Sequence, residues 1–187
     1  MTDVRGNVLY LVVPCYNEEE ILERTAEVMR EKISRLIKEG KASEKSKIMF
    51  VNDGSKDHTW KIISELCRED AVFTGICLSR NYGHQSAILA GMMEAVKHAD
   101  MVVTIDGDLQ QDIEALDAFI ECYQEGCEIV YGIRNSRDTD GFLKKILKRI
   151  FRMPCFPLFY IKVHHIGLKA DRWNQSAEKQ VHFLILR

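Results

Sequence analysis

The sequence predicts an α/β fold in which a mostly parallel β-sheet carries helices on both faces. Five short apolar runs rich in β-branched residues alternate with four amphipathic helical segments. This alternation is typical of βαβ units joined by right-handed crossovers. The chain has 187 residues, of which 46% are hydrophobic and 29% are charged. One such domain can therefore bury an adequate core, and a disordered or collagen-like chain is excluded.

The first strand and helix are predicted from an apolar run and its flanking residues. Residues 8–13 are nearly all apolar, which is typical of a strand buried on both faces, and Pro14 is expected to end it. Asn17 is expected to cap a helix that opens at Glu18 and stops at Gly40.

Two further strands, at 48–51 and 73–78, are each followed by a helix. Asp57 is expected to cap the first of these helices. The other helix follows residues 79–85 and has small and apolar residues at helical spacing. Five of them are expected to face the sheet: Ile88, Gly91, Met92, Ala95 and Val96.

The second half of the chain adds two strands and then loses its periodicity. Strands are predicted at 101–105 and 128–133, with a helix at about 112–125 between them. We therefore predict one α/β domain over 1–150 and an atypical tail, altered or truncated, over 151–187, to which no element is assigned. Ligands of such a sheet bind beyond the carboxyl ends of its strands.

Composition and charge exclude several classes of protein. The formal net charge of -2 provides no basic field, so no nucleic-acid partner is expected. The six cysteines form no Cys-x-x-Cys pair and no zinc spacing, which indicates reduced thiols in a cytoplasmic protein. The polar amino terminus is no signal peptide, and no stretch approaches the roughly 20 apolar residues that cross a bilayer. Neither a Gly-x-Gly-x-x-Gly loop nor a P-loop is found.

Polar residues stand directly after the first two predicted strands. Pro-Cys-Tyr-Asn-Glu occupies 14–18, and Asn-Asp-Gly-Ser occupies 52–55. The carboxylates of Glu18 and Asp53 can accept hydrogen bonds from a base or a ribose, and Tyr16 offers a flat apolar face. These groups predict a nucleoside site, although ordinary turn and cap chemistry explains either motif alone equally well.

The sharpest chemical signal is Asp-Gly-Asp at 106–108, after the fourth predicted strand. On an extended chain the carboxylates of Asp106 and Asp108 point the same way, about 6.6 Å apart. Such a pair can hold Mg²⁺, which is commonly bound by one or two carboxylates plus substrate phosphates. An isolated Asp-x-Asp is more often a solvated acidic turn, but three convergent strand ends favour a metal site.

Four motifs, in order along the chain, carry a resemblance to a known family. They are Pro-Cys-Tyr-Asn-Glu at 14–18, Val-Asn-Asp-Gly-Ser at 51–55, Ser-Arg-Asn-Tyr-Gly-His-Gln at 79–85 and Asp-Gly-Asp-Leu-Gln at 106–110. They resemble the successive signatures of glycosyltransferase family 2, and most of all its branch of dolichol-phosphate mannose synthases and bacterial polyprenyl-phosphate glycosyltransferases. The resemblance implies a GT-A fold. It also implies inverting transfer of a sugar from a UDP- or GDP-sugar to a polyprenyl or dolichyl phosphate.

The resemblance further implies roles for single residues. Contacts to the nucleotide sugar would come from Pro14, Tyr16, Glu18, Asp53, Arg80 and Gln110. Mg²⁺ or Mn²⁺ would be held by Asp106, Asp108 and Gln110, and the catalytic set would be Asp106, Asp108 and Arg134. Asn52 stands where the family more commonly has Asp, a departure expected to alter contacts to the base.

The acceptor side is expected beyond Arg134. By resemblance, Arg137, Lys144 and Lys145 belong to a basic acceptor loop that engages the lipid phosphate. Residues 141–152 hold five basic and no acidic residues beside one apolar helical side, a pattern typical of membrane surfaces. The alternative is that this apolar side packs on the domain. The expected location is the cytoplasmic face of a membrane, and the resemblance is compatible with a homo-oligomer or a partner subunit.

Two other functions stay open. The family continues to a Gly-Asp-Phe-Arg-like segment that has no equivalent in 151–187. A catalytically incomplete form that binds a nucleotide sugar or a partner is therefore the first alternative. The second is a nucleotidyltransferase that forms sugar nucleotides on a similar sheet, which ordinarily carries a Gly-rich basic loop after the first strand; that loop is absent from this sequence.

Overall fold

A computed structural model describes residues 6–108, 112–127, 129–133 and 181–186 of the chain. Helices and strands alternate along it, as the sequence predicts. Their bounds are β1 Leu9–Cys15, α1 Leu22–Lys38, β2 Lys47–Asn52, α2 Thr59–Glu69, β3 Phe73–Cys77, α3 His84–Ala95, β4 Met101–Thr104, α4 Ala115–Gln124, β5 Ile129–Ile133 and β6 Val181–Leu186.

The strands form one six-stranded sheet in the order β3-β2-β1-β4-β6-β5. Strands β1 to β4 are parallel to one another, whereas β6 runs antiparallel between β4 and β5. The predicted mostly parallel sheet is therefore confirmed. The sequence analysis missed β6, although Val-His-Phe-Leu-Ile-Leu is an apolar run of strand length, because the segment before it shows no periodicity that would place it in the same sheet.

The side chains of β1 alternate between two cores. Leu9, Leu11 and Val13 lie in the core under α1, α2 and α4, while Tyr10 and Val12 lie in the core under α3. Helices therefore cover both faces of the sheet, as expected. A strand that is buried on both faces has a continuous apolar sequence, which is why β1 was predictable.

Strand β1 continues through Pro14 to Cys15, so the prediction that Pro14 ends the strand is wrong. The carbonyl of Val12 bonds toward β4 and the carbonyl of Cys15 bonds toward β2. Because successive residues of a strand face opposite neighbours, the backbone nitrogen of Pro14 faces the β4 side. The last residue of β1 that pairs with β4 is Val12, so β4 offers no partner opposite Pro14. The sheet therefore loses no hydrogen bond through the N–H that proline lacks.

Two helix details differ from the predictions. Asn17 does not cap α1: Ile21 occupies that position, Asn17 has a left-handed φ of 55°, and its Oδ1 accepts the N–H of Lys56 at 2.8 Å. Val96, expected to face the sheet, is exposed beyond the end of α3. Gly40 follows α1 with a φ of 72°, as the predicted stop requires.

The cap of α2 lies one residue from the predicted position. His58 occupies the N-cap, while the Asp57 carboxylate accepts the N–H of Thr59 at 3.0 Å. An acceptor at this point still satisfies one of the free N–H groups at the start of a helix.

Helix α1 is fixed to α4 by a buried cation. Lys32 is only 3% exposed, and its ammonium donates to Glu114 at 2.9 Å and also to Asp117. Arg35 and Lys41 extend the ion pairs on the solvent side. Since a buried charge needs partners, this network sets where α1 lies relative to the start of α4.

Candidate functional site

Four loops meet at the carboxyl edge of the sheet. Strands β3, β2, β1 and β4 are adjacent and parallel, so the chain leaves each of them at the same edge. The loops are residues 16–21, 53–58, 78–83 and 105–108. The described parts of the four strand-end motifs, up to Asp108, fall on these loops or directly beside them.

Several hydrogen bonds join the loop after β1 to the loop after β2 and the start of α2. The N–H of Asn17 donates to the Ser55 hydroxyl at 3.0 Å, and the Asn17 side chain accepts from Lys56. The N–H of Glu18 donates to the Thr59 hydroxyl at 2.9 Å. These bonds cross from one loop to the other, so the two motifs form one rigid unit.

Asp53 holds the loop after β3. Its carboxylate accepts the N–H of Tyr82 at 2.7 Å and the N–H of Gly83 at 2.9 Å, and the residue is 3% exposed. A carboxylate that accepts two backbone N–H bonds is a strong, charge-assisted anchor. The geometry thus gives Asp53 a positioning role beneath the loop, while a direct contact with a nucleoside stays a prediction.

Asn52, beside it, is also used internally. It is buried, its amide donates to the Cys77 sulfur at 3.2 Å, and its Oδ1 accepts the N–H of Ser55 at 3.2 Å. The departure from the family's commoner Asp therefore lies within the loop packing.

Gly54 lets the second and third loops approach closely. A Cβ atom at this position would lie 2.3 Å from the carbonyl carbon of Arg80, and the glycine has a φ of 65°. Arg80 in turn places its guanidinium 4.8 Å from the centre of the Tyr82 ring. Such a cation–π contact orients a guanidinium that otherwise samples many rotamers. Arg80 and Tyr82 therefore form an exposed pair at the rim of the site.

The Asp-Gly-Asp turn faces both neighbouring loops. His84 Nε2 lies 3.4 Å from Asp106 Oδ1, which places Asp106 against the start of α3. The Asp106 side chain is 34% exposed. On the other side, Asp108 is close enough to Glu18 to affect its ionisation. The carboxylates of the turn thus lie between the β1 loop and the β3 loop.

The electrostatics of this edge favour a cation. Burial raises the pKa of Glu18, and repulsion from Asp108 and Asp57 raises it further. A raised carboxylate pKa reports that negative charge is crowded in this region. A divalent cation near Asp108 would relieve that repulsion, so the donor set is chemically suited to one.

The part of the chain that the structure describes contains no group of three or more His, Cys, Asp or Glu side chains able to hold a metal on their own. Two carboxylates that rely on substrate phosphates and water for the other positions match the open coordination typical of Mg²⁺. Asp106 and Asp108 fit that pattern. Gln110, the third predicted ligand, lies outside the described residues.

Five of the predicted donor-site residues lie at this edge of the sheet: Pro14, Tyr16, Glu18, Asp53 and Arg80. Tyr16 is 38% exposed and available as a flat surface, whereas Pro14 is buried within β1. Arg134 and the acceptor-loop residues Arg137, Lys144 and Lys145 lie outside the described residues, as does the segment 141–152. Their predicted roles stay predictions.

Sequence reasoning missed several positioning groups. Thr25 lies one turn into α1 and bonds to the Asp-Gly-Asp turn, and Asn17 bridges two loops instead of capping a helix. A buried Thr on the apolar side of α1 was the available signal for the first. The second depended on a left-handed backbone at Asn17 that the sequence pattern does not specify.

Comparison with protein families agrees with this geometry. The model described as Glycosyl transferase family 2 matches residues 10–183. The chain belongs to this family. The resemblance seen in the four motifs is thereby confirmed, and the match extends into the segment to which the sequence analysis assigned no element.

Curated relatives match about three quarters of the chain. An uncharacterized glycosyltransferase of Bacillus subtilis, YkoT, is 49% identical over 138 residues. The bactoprenol glucosyl transferase of Shigella phage SfV is 40% identical over 135 residues, and the undecaprenyl-phosphate 4-deoxy-4-formamido-L-arabinose transferase of Proteus mirabilis is 36% identical over 149 residues. These alignments cover 74%, 72% and 79% of this chain but 41%, 41% and 43% of the relatives. The chain therefore spans about two fifths of the length of the relatives it matches.

Among solved structures, the fold is similar to that of the mannosyltransferase PcManGT from Pyrobaculum calidifontis, which was determined with GDP-Man and Mn²⁺. The TM-score is 0.54 and the identity 19%, with 71% of this chain and 37% of that chain covered. At this identity the likeness concerns the fold alone, and it confirms the expected GT-A architecture. Within the described residues, no helix is long and apolar enough to span a membrane.

Proposed function

We propose that this chain is the catalytic domain of an inverting glycosyltransferase, which transfers a sugar from a nucleotide-diphospho sugar to a polyprenyl or dolichyl phosphate. The observation that carries the proposal is the position of Asp106 and Asp108 between Glu18 and the start of α3. Paired carboxylates at a rim that also carries an arginine and two exposed tyrosines suit a ligand with a diphosphate and a flat base.

The rim of the site supplies the contacts to the sugar donor. Tyr16 and Tyr82 are 38% and 49% exposed, and each offers an aromatic face on which a base can stack. Arg80, oriented by Tyr82, can donate to a phosphate oxygen. Glu18 can accept from a base or a ribose hydroxyl, and Asp53 acts from below by holding the loop that carries Arg80 and Tyr82.

The diphosphate is proposed to bind over Asp106 and Asp108, which with Gln110 would hold Mg²⁺ or Mn²⁺. When bound, such a cation would neutralise charge on the departing diphosphate. The residues of this chain would hold the Asp-Gly-Asp turn in place at the edge of the sheet. They would also keep Arg80 and His84 on the side of the turn where the diphosphate binds. In this proposal both side chains donate hydrogen bonds to the phosphates.

The transfer itself is proposed to be an in-line substitution. An oxygen of the lipid phosphate forms a bond to the anomeric carbon, while the bond from that carbon to the diphosphate oxygen breaks. The electron pair leaves with the nucleoside diphosphate, and the configuration inverts. A phosphate acceptor is already ionised near neutral pH, so a strong base is less necessary than for a sugar hydroxyl.

The acceptor is proposed to meet the basic residues of the second half of the chain. Arg134, Arg137, Lys144 and Lys145 would pair with the lipid phosphate, and the reaction would take place at a membrane surface, with the cytoplasmic face as the predicted side. The names of the Shigella phage and Proteus relatives, which specify bactoprenol and undecaprenyl phosphate, support a polyprenyl acceptor.

A second candidate is a form that binds the nucleotide sugar or a partner subunit but transfers nothing. The departure of residues 151–187 from the family's acceptor-side pattern favours it. Because donor binding depends on 14–108 and transfer on both halves, the two functions separate in one experiment.

Incubation with labelled UDP- and GDP-sugars, a short-chain polyprenyl phosphate and Mg²⁺ or Mn²⁺ tests the proposal. Label in the lipid fraction, dependent on the acceptor phosphate and lost in Asp106→Ala, is the expected result. Nucleotide binding without lipid-linked product would support the second candidate. Absence of both binding and product would contradict both.

A further inference from the structure

Thr25 makes a long-range contact that neither helix formation nor core packing requires. It is the fourth residue of α1 and is completely buried. Its hydroxyl donates to the carbonyl oxygen of Gly107 at 2.7 Å, across 82 residues of sequence. Gly107 is the middle residue of the Asp-Gly-Asp turn.

The bond is not the one that a helical threonine makes by default. A buried Thr in a helix commonly bonds back to a carbonyl of its own preceding turn. The backbone N–H of Thr25 already bonds to the carbonyl of Ile21 at 2.9 Å. The hydroxyl instead leaves the helix and reaches the loop after β4.

The bond between Thr25 and Gly107 lies just beyond the last backbone hydrogen bond between β1 and the chain that follows β4. The last ladder bond described on this side of β4 is donated by Ile105 to the carbonyl of Val12, at 3.0 Å. Beyond it, Gly107 has no side chain to pack. A Cβ atom there would lie 3.5 Å from Val13 and 3.7 Å from the carbonyl of Pro14, which are ordinary contacts. Steric confinement therefore does not fix this glycine, whose backbone is intrinsically the most permissive.

Helix α1 does not depend on this bond for its own position. Leu22, Ala26, Met29, Ile33 and Leu36 are each at most 1% exposed and pack in the core beneath it. Lys32 adds ion pairs to α4. The helix is thus a fixed support to which the turn is attached.

We propose that Thr25 is a positioning residue that sets the peptide between Gly107 and Asp108, and thereby the spacing of the Asp106 and Asp108 carboxylates. The Gly107 carbonyl belongs to the peptide unit that leads into Asp108, so fixing its direction fixes the backbone on which the Asp108 side chain stands. The inference rests on the proposed function, because it concerns how the turn holds a divalent cation. It adds a residue from α1 to a site otherwise built from loops.

The test compares Thr25→Val, which keeps the shape and removes the hydroxyl, with Thr25→Ser, which keeps the hydroxyl. Thr25→Val should weaken Mn²⁺ binding in the presence of UDP or GDP by about 10–100-fold, the usual effect of losing a group that orients a metal ligand. Thr25→Ser should retain affinity close to that of the wild type. Mn²⁺ binding is measured by electron paramagnetic resonance, and turnover is measured beside it.

Two further measurements separate positioning from general destabilisation. Ser46→Ala removes another buried hydroxyl, which accepts the N–H of Leu9 at 3.0 Å near the opposite end of β1, and should leave Mn²⁺ affinity unchanged. Hydrogen exchange of the metal-free protein should accelerate at residues 105–108 in Thr25→Val, and remain slow there in Ser46→Ala.

The inference is overturned if Thr25→Val binds Mn²⁺ like the wild type, or if Thr25→Ser is as impaired as Thr25→Val. Should Thr25→Val fail to fold, Thr25→Ala, which also removes the hydroxyl, replaces it in the same Mn²⁺ and exchange measurements. If the wild-type protein binds no Mn²⁺–nucleotide at all, the proposed function fails. If the wild type binds Mn²⁺–nucleotide and Thr25→Val binds it equally well, only the positioning role of Thr25 is contradicted.

Discussion

Asp53 is tied to Gly83 by a hydrogen bond of 2.9 Å from the backbone N–H to the carboxylate. The other carboxylate oxygen accepts from Tyr82. The bonds link the end of β2 to the start of α3, and so set the height of the loop that carries Arg80. A buried carboxylate thus replaces a helix cap in a place where Gly83, the N-cap residue, has no side chain.

Asp53→Asn should lower the free energy of unfolding by about 1–3 kcal/mol, because the neutral amide can accept only one of the two backbone N–H groups and its N–H₂ faces the other. Urea denaturation of the ligand-free protein measures this. If Asp53 instead acts mainly as a direct contact to the base, Asp53→Asn would unfold like the wild type and lose only nucleotide affinity, which would refute the positioning role.

Gly54→Ala should disturb the site more than a matched change at Gly40. Both glycines have a positive φ, 65° and 72°, so an alanine at either position costs about 1–2 kcal/mol of backbone strain. Only the Cβ at 54 meets a backbone, that of Arg80 at 2.3 Å; the described surroundings of Gly40 contain nothing within 4 Å. We expect Gly54→Ala to lose about 1–3 kcal/mol more, the usual cost of overpacking.

Urea denaturation and nucleotide titration of the two variants check this expectation. Gly54→Ala should also weaken nucleotide binding, since it separates the loops after β2 and β3, while Gly40→Ala should bind normally. Equal loss of stability in both, with unchanged binding in both, would show that the close approach at Gly54 has no functional part.

Glu18→Gln should stabilise the protein at neutral pH. The pKa of Glu18 is raised by burial and by repulsion from Asp108 and Asp57. At pH values between the unfolded and the folded pKa, the folded state therefore holds a proton that the unfolded state has released. Stability therefore falls as the pH rises from the ordinary Glu pKa, about 4.3, through the higher folded value. The glutamine cannot ionise and avoids this loss.

Melting temperatures measured from about pH 4 to pH 8 test the sign. The gain in Glu18→Gln should be largest at the upper end and shrink toward the ordinary Glu pKa, below which Glu18 is protonated in both states. Glu20→Gln, an exposed change in the same loop, controls for net charge. A stability gain that is independent of pH, or a loss at neutral pH, would contradict the crowding of charge at Glu18.

Much of the fold followed from local pattern. Apolar runs such as 8–13 and 48–51 predict buried parallel strands because both faces of the sheet are covered, and amphipathic spacing predicts α1 and α2. Strand β6 escaped because its partners, β4 and β5, lie far from it in sequence. Pairing at that separation is a tertiary choice that a local window does not contain.

The candidate site divides in the same way. Residue types at strand ends predict Glu18, Asp106 and Asp108, because parallel strands bring their carboxyl ends together. The supporting groups were harder to predict from the sequence. The hydroxyl of Thr25 and the buried carboxylate of Asp53 bond to backbone atoms of other elements. Such partners are specified by the packed structure and carry no sequence spacing of their own.

The most direct test of the central claim is calorimetric titration of UDP or GDP, with and without Mn²⁺, into the wild type, Asp106→Ala and Asp108→Ala. Asp100→Ala, which removes a carboxylate at the opposite end of β4, is the matched control. Mn²⁺ should tighten nucleotide binding in the wild type and the control and have no effect in the other two variants. Equal Mn²⁺-dependent affinity in all four proteins would contradict a donor site built on the Asp-Gly-Asp turn.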